Sequence, residues 1–190
     1  MAQASVLTET EIRRVFRIVE TTRHAERNRL CFVLSIYGGL RVGEIAALTV
    51  GDVATHSGDV RREIKLGAHQ TKGEKGRTVV LSTRVRKELG IFLDYQRKRD
   101  HGAPLIASQR NLNSRSFTNV TLSMLFKEIY DAAGIRTSSH SGRRTFATLL
   151  NAKGVGMRTI QKLMGHRNIG TTALYCDVSD ETMRNAVELV

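Results

Sequence analysis

The residues in this chain that could do chemistry are mainly cations set at the ends of helices and turns. Gly38, Gly39 and Leu40 lead into Arg41, Val42, Gly43 and Glu44. That run predicts a helix opened by Arg41, with Glu44 three residues on and on the same face. Thr71-Lys72-Gly73 begins a glycine-containing turn, which also carries Lys75. His140 and Arg143 stand three apart at a predicted helix start, where unpaired N–H groups add partial positive charge for an anion. Leu163-Met164-Gly165-His166 closes another predicted helix, and Tyr175 follows nine residues later. Singly, each has an ordinary reading. Arg41 and Glu44 make a surface ion pair, Lys72 is a solvated turn lysine, and His140 and Arg143 sit at a solvated helix start. His166 is then a polar helix end, and Tyr175 a half-buried packing residue.

Other chemistries find less support. There is no P-loop, and Gly154-Val155-Gly156 is a lone glycine pair without phosphate-binding context. No paired carboxylates with flanking metal ligands suggest a two-metal nuclease. Serine and cysteine nucleophile motifs are missing. Phosphate chemistry in this chain would have to run on cationic side chains.

The elements that must position these groups read as helices, then a small sheet, then helices. Thr8 and Glu11 have capping-box spacing, and Ile12, Val15, Phe16 and Val19 follow at helical spacing. A second, largely buried helix is expected from Ala25 to Tyr37, stopped by Gly38-Gly39. A short third one carries Arg41 to Leu48. Val50 with Val53, then Val60 to Leu66, then Arg77 to Leu81 read as three short strands of an antiparallel meander. Helical pattern returns from Thr83 to about Arg99. A loop with the one proline, Pro104, comes next. Further helices are expected over 119–133, 140–153, 157–165, 170–176 and 180–189. Ile160 to Tyr175 also reads as a helix-turn-helix with Gly165 in the turn. The fold class is therefore mainly α with a three-stranded antiparallel sheet.

Charge narrows the partner. The 190 residues hold 30 Lys and Arg against 18 Asp and Glu, a net charge of +12. Nucleic acid is the commonest polyanion that offsets such self-repulsion. No basic amphipathic anchor, apolar signal core or 18-residue apolar run suggests a membrane. The two cysteines, Cys31 and Cys176, are unclustered, which suggests neither a disulfide framework nor a zinc site and points to a reducing, cytoplasmic compartment.

Together, the ordered set is far more specific than its parts. Arg41, Lys72, His140-x-x-Arg143, Leu163-x-Gly165-His166 and Tyr175 resemble the active site of the tyrosine recombinases, the phage-integrase family. Gly39-Leu40-Arg41-x-x-Glu44 is similar to their first arginine box. His140-x-x-Arg143 with Thr145-Phe146-Ala147-Thr148 is similar to the second. The resemblance runs from Leu7 to about Val178. Gly43 stands where serine is frequent and Met164 where leucine is. Ser141-Gly142 replaces the usual Asp-Leu, and Arg144 a common histidine. None of these changes removes a catalytic group.

The resemblance implies a catalytic domain that cuts and rejoins double-stranded DNA through a 3′-phosphotyrosyl bond, with no metal, nucleotide or other cofactor. Tyr175 would be the nucleophile, Arg41 and Arg143 the clamp on the nonbridging oxygens, and His166 a further donor. His140 would accept the tyrosine proton and Lys72 would protonate the leaving 5′-oxygen. Lys72 is preferred over Lys75 because it sits at the start of the turn. Glu44 would support Arg41. One catalytic domain over 1–190 is expected, without the family's N-terminal core-binding domain. The expected assembly is a monomer when free and a tetramer on paired DNA sites. Residues 180–190 are a candidate for exchange between protomers, and an accessory DNA-bending protein is a candidate partner. Two other readings stay open: a topoisomerase of the related tyrosine type, and a non-catalytic helix-turn-helix regulator.

Overall fold

The first helix starts where its cap dictates. Thr8 Oγ1 accepts from the Glu11 backbone N–H at 3.2 Å, and the Glu11 carboxylate accepts from the Thr8 N–H at 2.8 Å. Two of the orphan donors of a helix start are thereby satisfied. From this cap α1 (Glu9–Glu20) turns Ile12, Val15 and Val19 inward. In the computed structural model, residues 4–71, 76–96, 100–107 and 116–174 are described, with 183, 184, 187 and 188. Lys72, Lys75, Tyr175 and Cys176 lie outside the described residues.

These residues form two compact units, 1–146 and 147–190. In the first, α2 (Ala25–Ile36) is the central element. Leu30 to Ile36 are all buried, so no amphipathic stripe separates its faces. It packs against α1, α3 (Val42–Ala46) and α5 (Thr83–Gln96). Helix α6 (Asn119–Ala132) covers α1 and α3, and its Phe126 stacks on Phe32 of α2 at 4.2 Å between centroids. Tyr130 meets the same ring edge-on. One continuous apolar cluster thus underlies the loop that carries Arg41. Cys31 lies inside it, and burial pushes its thiol up to about 12, so it behaves as a small core residue.

Among the described residues the sheet has two strands, not the expected three. β1 (Glu63–Leu66) pairs antiparallel with β2 (Arg77–Val80), Glu63 opposite Val80 and Leu66 opposite Arg77. The expected first strand is instead a one-turn helix, α4 (Val50–Val53). Thr49 caps it: its hydroxyl accepts from the Asp52 N–H, and the Asp52 carboxylate accepts from the Thr49 N–H at 2.8 Å. The remaining N-terminal donors are also met, Val50 by Ala103 O and Gly51 by His101 O. Local capping overrides the β preference of the two valines. Only an isolated bridge, Ala54 to Val60, remains of the meander's first leg.

Helix α7 (Ser141–Ala152) begins in the first unit and ends in the second. The second unit contains α8 (Met157–Met164) and α9 (Ile169–Ala173), packed on each other. Gly165 ends α8 at φ 62°, the left-handed conformation that suits glycine at a helix C-terminus. No helix among the described residues is long and apolar enough to cross a membrane.

Candidate active site

The site in the first unit is organised around one buried carboxylate. Arg41 is the N-cap of α3, and its backbone N–H donates to Glu44 Oε2 at 2.8 Å. Its side chain turns back to the same group, with Nη1 donating to Glu44 Oε1 at 2.7 Å. A third contact comes from β2, where Arg77 donates through Nε to Oε1 at 3.0 Å and through Nη2 to Oε2 at 2.7 Å. Arg143, on the first turn of α7, brings Nη1 to 3.9 Å from Oε2 and donates to the Gly39 carbonyl. Glu44 is 1 % exposed, Arg143 6 %, Arg77 9 % and Arg41 25 %.

The electrostatics follow from that packing. Burial pushes the Glu44 carboxyl upward, but it is outweighed by the Arg77 hydrogen bond and charge, the Arg41 N–H and the Arg143 charge. The result is a pKa of about 2, and a group ionised at all ordinary pH. Three guanidinium groups around one carboxylate leave an excess of positive charge. Arg41, the most exposed of the three, lines a cleft of about 520 Å³ together with His69, Thr71, Asn119, Ser139 and His140.

Local structure fixes each partner. Gly39 adopts φ 63°, and a side chain there would overlap the Phe146 ring of α7. The Gly39 carbonyl is thereby aimed at Arg143. The start of α7 is held from below: Thr145 Oγ1 donates to Ser141 O at 2.8 Å and accepts from the Leu7 N–H at 2.9 Å. Ser141 Oγ also pairs with Thr137 Oγ1. His140, exposed just ahead of α7, is thus set at the cleft by a rigid helix start.

Of the sequence-predicted residues, the structure brings together Arg41, Glu44 and Arg143, with His140 on the cleft wall beside Arg41. His166 belongs to the second unit. It follows the left-handed Gly165, its Nδ1 lies 3.0 Å from the Thr172 hydroxyl, and Thr172 is fully buried in α9. That contact ties the ring to the helix preceding Tyr175. Lys72 and Tyr175 fall outside the described residues, although Thr71, which precedes Lys72, lines the cleft.

A phage-integrase family model matches residues 5–182. The chain belongs to the phage integrase family. A tyrosine recombinase XerA of Thermococcus onnurineus is 33 % identical over 182 residues, covering 96 % of this chain and 61 % of that protein. The XerA of Pyrococcus furiosus is 30 % identical over 183 residues, covering 96 % and 60 %. The chain therefore spans about 60 % of the length of these relatives. The crystal structure of a XerA recombinase superposes with a TM-score of 0.77 at 26 % identity, covering 100 % of this chain and 66 % of that one. A lambda integrase dimer bound to a COC′ core site shares the fold, with a TM-score of 0.70 at 20 % identity and 93 % and 60 % coverage.

Within this integrase-family chain, two features escape sequence reasoning. Arg77 reads only as the first residue of a strand, because its carboxylate partner lies 33 positions away. His69, Asn119 and Ser139 enter the cleft from three separate segments and carry no local motif. The departure at Gly142 from the family's usual leucine does have a local explanation. A side chain at Gly142 would overlap Ser35 of α2, so α7 approaches α2 closely at the point that delivers Arg143.

Proposed function

We propose that this phage-integrase family member is the catalytic part of a site-specific DNA recombinase, with 1–190 acting as one catalytic domain. The carrying observation is the single Glu44 carboxylate that holds Arg41 and gathers Arg143 beside a cleft walled by His140. Two permanently charged, planar guanidinium groups are what a pentacoordinate phosphate needs on its nonbridging oxygens. Tyr175 attacks the scissile phosphate, its proton passing to His140. Lys72 protonates the departing 5′-oxygen, and His166 adds a hydrogen bond to the phosphate. The 3′-phosphotyrosyl bond conserves the energy of the broken ester, so a second strand's 5′-hydroxyl reseals it without ATP or metal.

Double-stranded DNA is the partner, consistent with the +12 charge. Assembly from free monomers to a tetramer on paired sites would use the C-terminal residues 180–190, whose Met183 and Val187 are 51 % and 69 % exposed. The regulator reading is less supported: α9 is five residues long, a small platform for reading a groove. The test is a nicked DNA site whose cleaved end diffuses away. The chain should become covalently attached to the 3′ end, and Tyr175→Phe should abolish the adduct. An adduct that persists in Tyr175→Phe removes the nucleophile assignment.

A further inference from the structure

Arg77 is absent from the set of groups assigned to the phosphate, yet it makes the more extensive side-chain contact with Glu44. It grips the carboxylate with two hydrogen bonds, at 3.0 and 2.7 Å, whereas the Arg41 side chain makes one. It is 9 % exposed, against 25 % for Arg41. Arg77 therefore occupies the buried side of the carboxylate, and Arg41 keeps donors at the cleft. A paired fork of this kind is geometrically demanding, and lysine does not reproduce it.

Consider the same carboxylate without that fork. It would be a buried anion with one side-chain hydrogen bond from Arg41 and a more distant Arg143. Arg41 could meet its demand only by turning in to pair with both oxygens. The guanidinium would then be engaged with Glu44 when the phosphate arrives, and the attraction would have to be broken in reaching the transition state. With Arg77 in place the carboxylate is already satisfied, and Arg41 is held by one contact and its own backbone. Arg77 also sits opposite Leu66 at the loop end of the β1–β2 hairpin, and its Nη2 approaches the Gly39 carbonyl that receives Arg143. One residue thus touches the supports of both site arginines.

We propose that Arg77 is a positioning residue: by gripping Glu44 from its buried side, it keeps the Arg41 guanidinium presented to the scissile phosphate. The inference rests on the strand-transfer reading above. Its test is single-turnover cleavage of the nicked DNA site at saturating DNA. The measurements are made on the unaltered chain, Arg77→Met, Arg77→Lys, Glu44→Gln and the Glu44→Gln/Arg77→Met double variant, with DNA affinity determined separately. Arg77→Met should slow adduct formation about 10- to 100-fold, as losing the outer partner of a site residue commonly does. DNA affinity should stay within about threefold, because the Arg77 side chain is 9 % exposed and engaged with Glu44. Arg77→Lys should recover only part of the rate, since it restores charge without the fork. The double variant should be no slower than Glu44→Gln, because Arg77 acts through Glu44.

A merely structural role would instead lower the fraction of active molecules and leave the rate of that fraction intact. Should Arg77→Met fail to fold, the double variant removes the stranded anion and still reports the rate. Cleavage by Arg77→Met within about twofold of the unaltered chain overturns the inference alone, as does a double variant well below the Glu44→Gln rate, since Arg77 would then act other than through Glu44. An unaltered chain that binds the site but forms no adduct overturns the recombinase reading, and this inference with it.

Discussion

At the residue scale, Glu44 shows how a buried charge can be kept ionised and useful. A lone carboxylate in that position would be neutral or highly destabilising. Here Arg77, the Arg41 N–H and Arg143 hold its pKa at about 2, below the ordinary 4.5. A carboxyl depressed on folding contributes stability that is fully present above its unfolded value and is lost as pH falls through its folded value. The window is therefore from about pH 4.5 down to about pH 2, and the contribution is on the order of 3 kcal/mol. Glu44→Gln should be less stable than the unaltered chain at pH 7, and the gap should narrow as the pH is lowered through that window. Urea unfolding at pH 7, 4.5 and 3 measures it. A gap that stays constant with pH would mean that the charge of Glu44 is irrelevant to its role.

At the scale of elements, the approach of the α2–α3 loop to α7 decides whether Arg143 finds its place. Gly39 is left-handed and faces the Phe146 ring, so two costs combine on substitution. A non-glycine residue at that φ costs about 1–2 kcal/mol, and overpacking typically about 1–3 more. Gly39→Ala should lower stability by roughly 2–5 kcal/mol and displace the carbonyl that Arg143 binds. Thermal unfolding checks the first effect. A melting temperature equal to that of the unaltered chain would show that the loop is not tightly held.

Which elements could be read in the sequence follows from where their determinants lie. The start of α1 was legible because Thr8 and Glu11 cap one another within four residues. Arg41 and Glu44 were legible as a pair for the same reason. At Val50 and Val53 the strand pattern loses to a stronger local signal. Thr49 and Asp52 already carried the competing helix-cap signal, and the two β-branched residues obscured it. The roles of Arg77 and of the Gly39 carbonyl are opaque for a different cause. Their partners lie on other elements, with Arg143 104 positions from the carbonyl it binds, and no local pattern encodes such a pairing.

At the scale of the whole molecule, the proposed recombinase reading and a charge of +12 on 190 residues make attraction to DNA separable from the chemistry done on it. Each phosphate neutralised by a lysine or arginine releases condensed counterions, so affinity falls linearly with salt on logarithmic axes. A protein making six to ten such contacts loses about 10³- to 10⁵-fold between 50 and 200 mM salt. The phosphate-contact part of binding by this chain should fall within or near that range and should itself carry no base information. Cleavage at saturating DNA should respond far less, because Glu44, Arg77 and Arg143 are nine-tenths or more buried and bulk ions screen them poorly. Titrating the affinity for a short duplex and the single-turnover cleavage rate across the same salt series separates the two. If the rate at saturation fell as steeply as the affinity, the cationic cluster would have to be open to solvent ions. Its strength would then come from long-range attraction, not from a buried carboxylate that holds the arginines in place before the phosphate arrives.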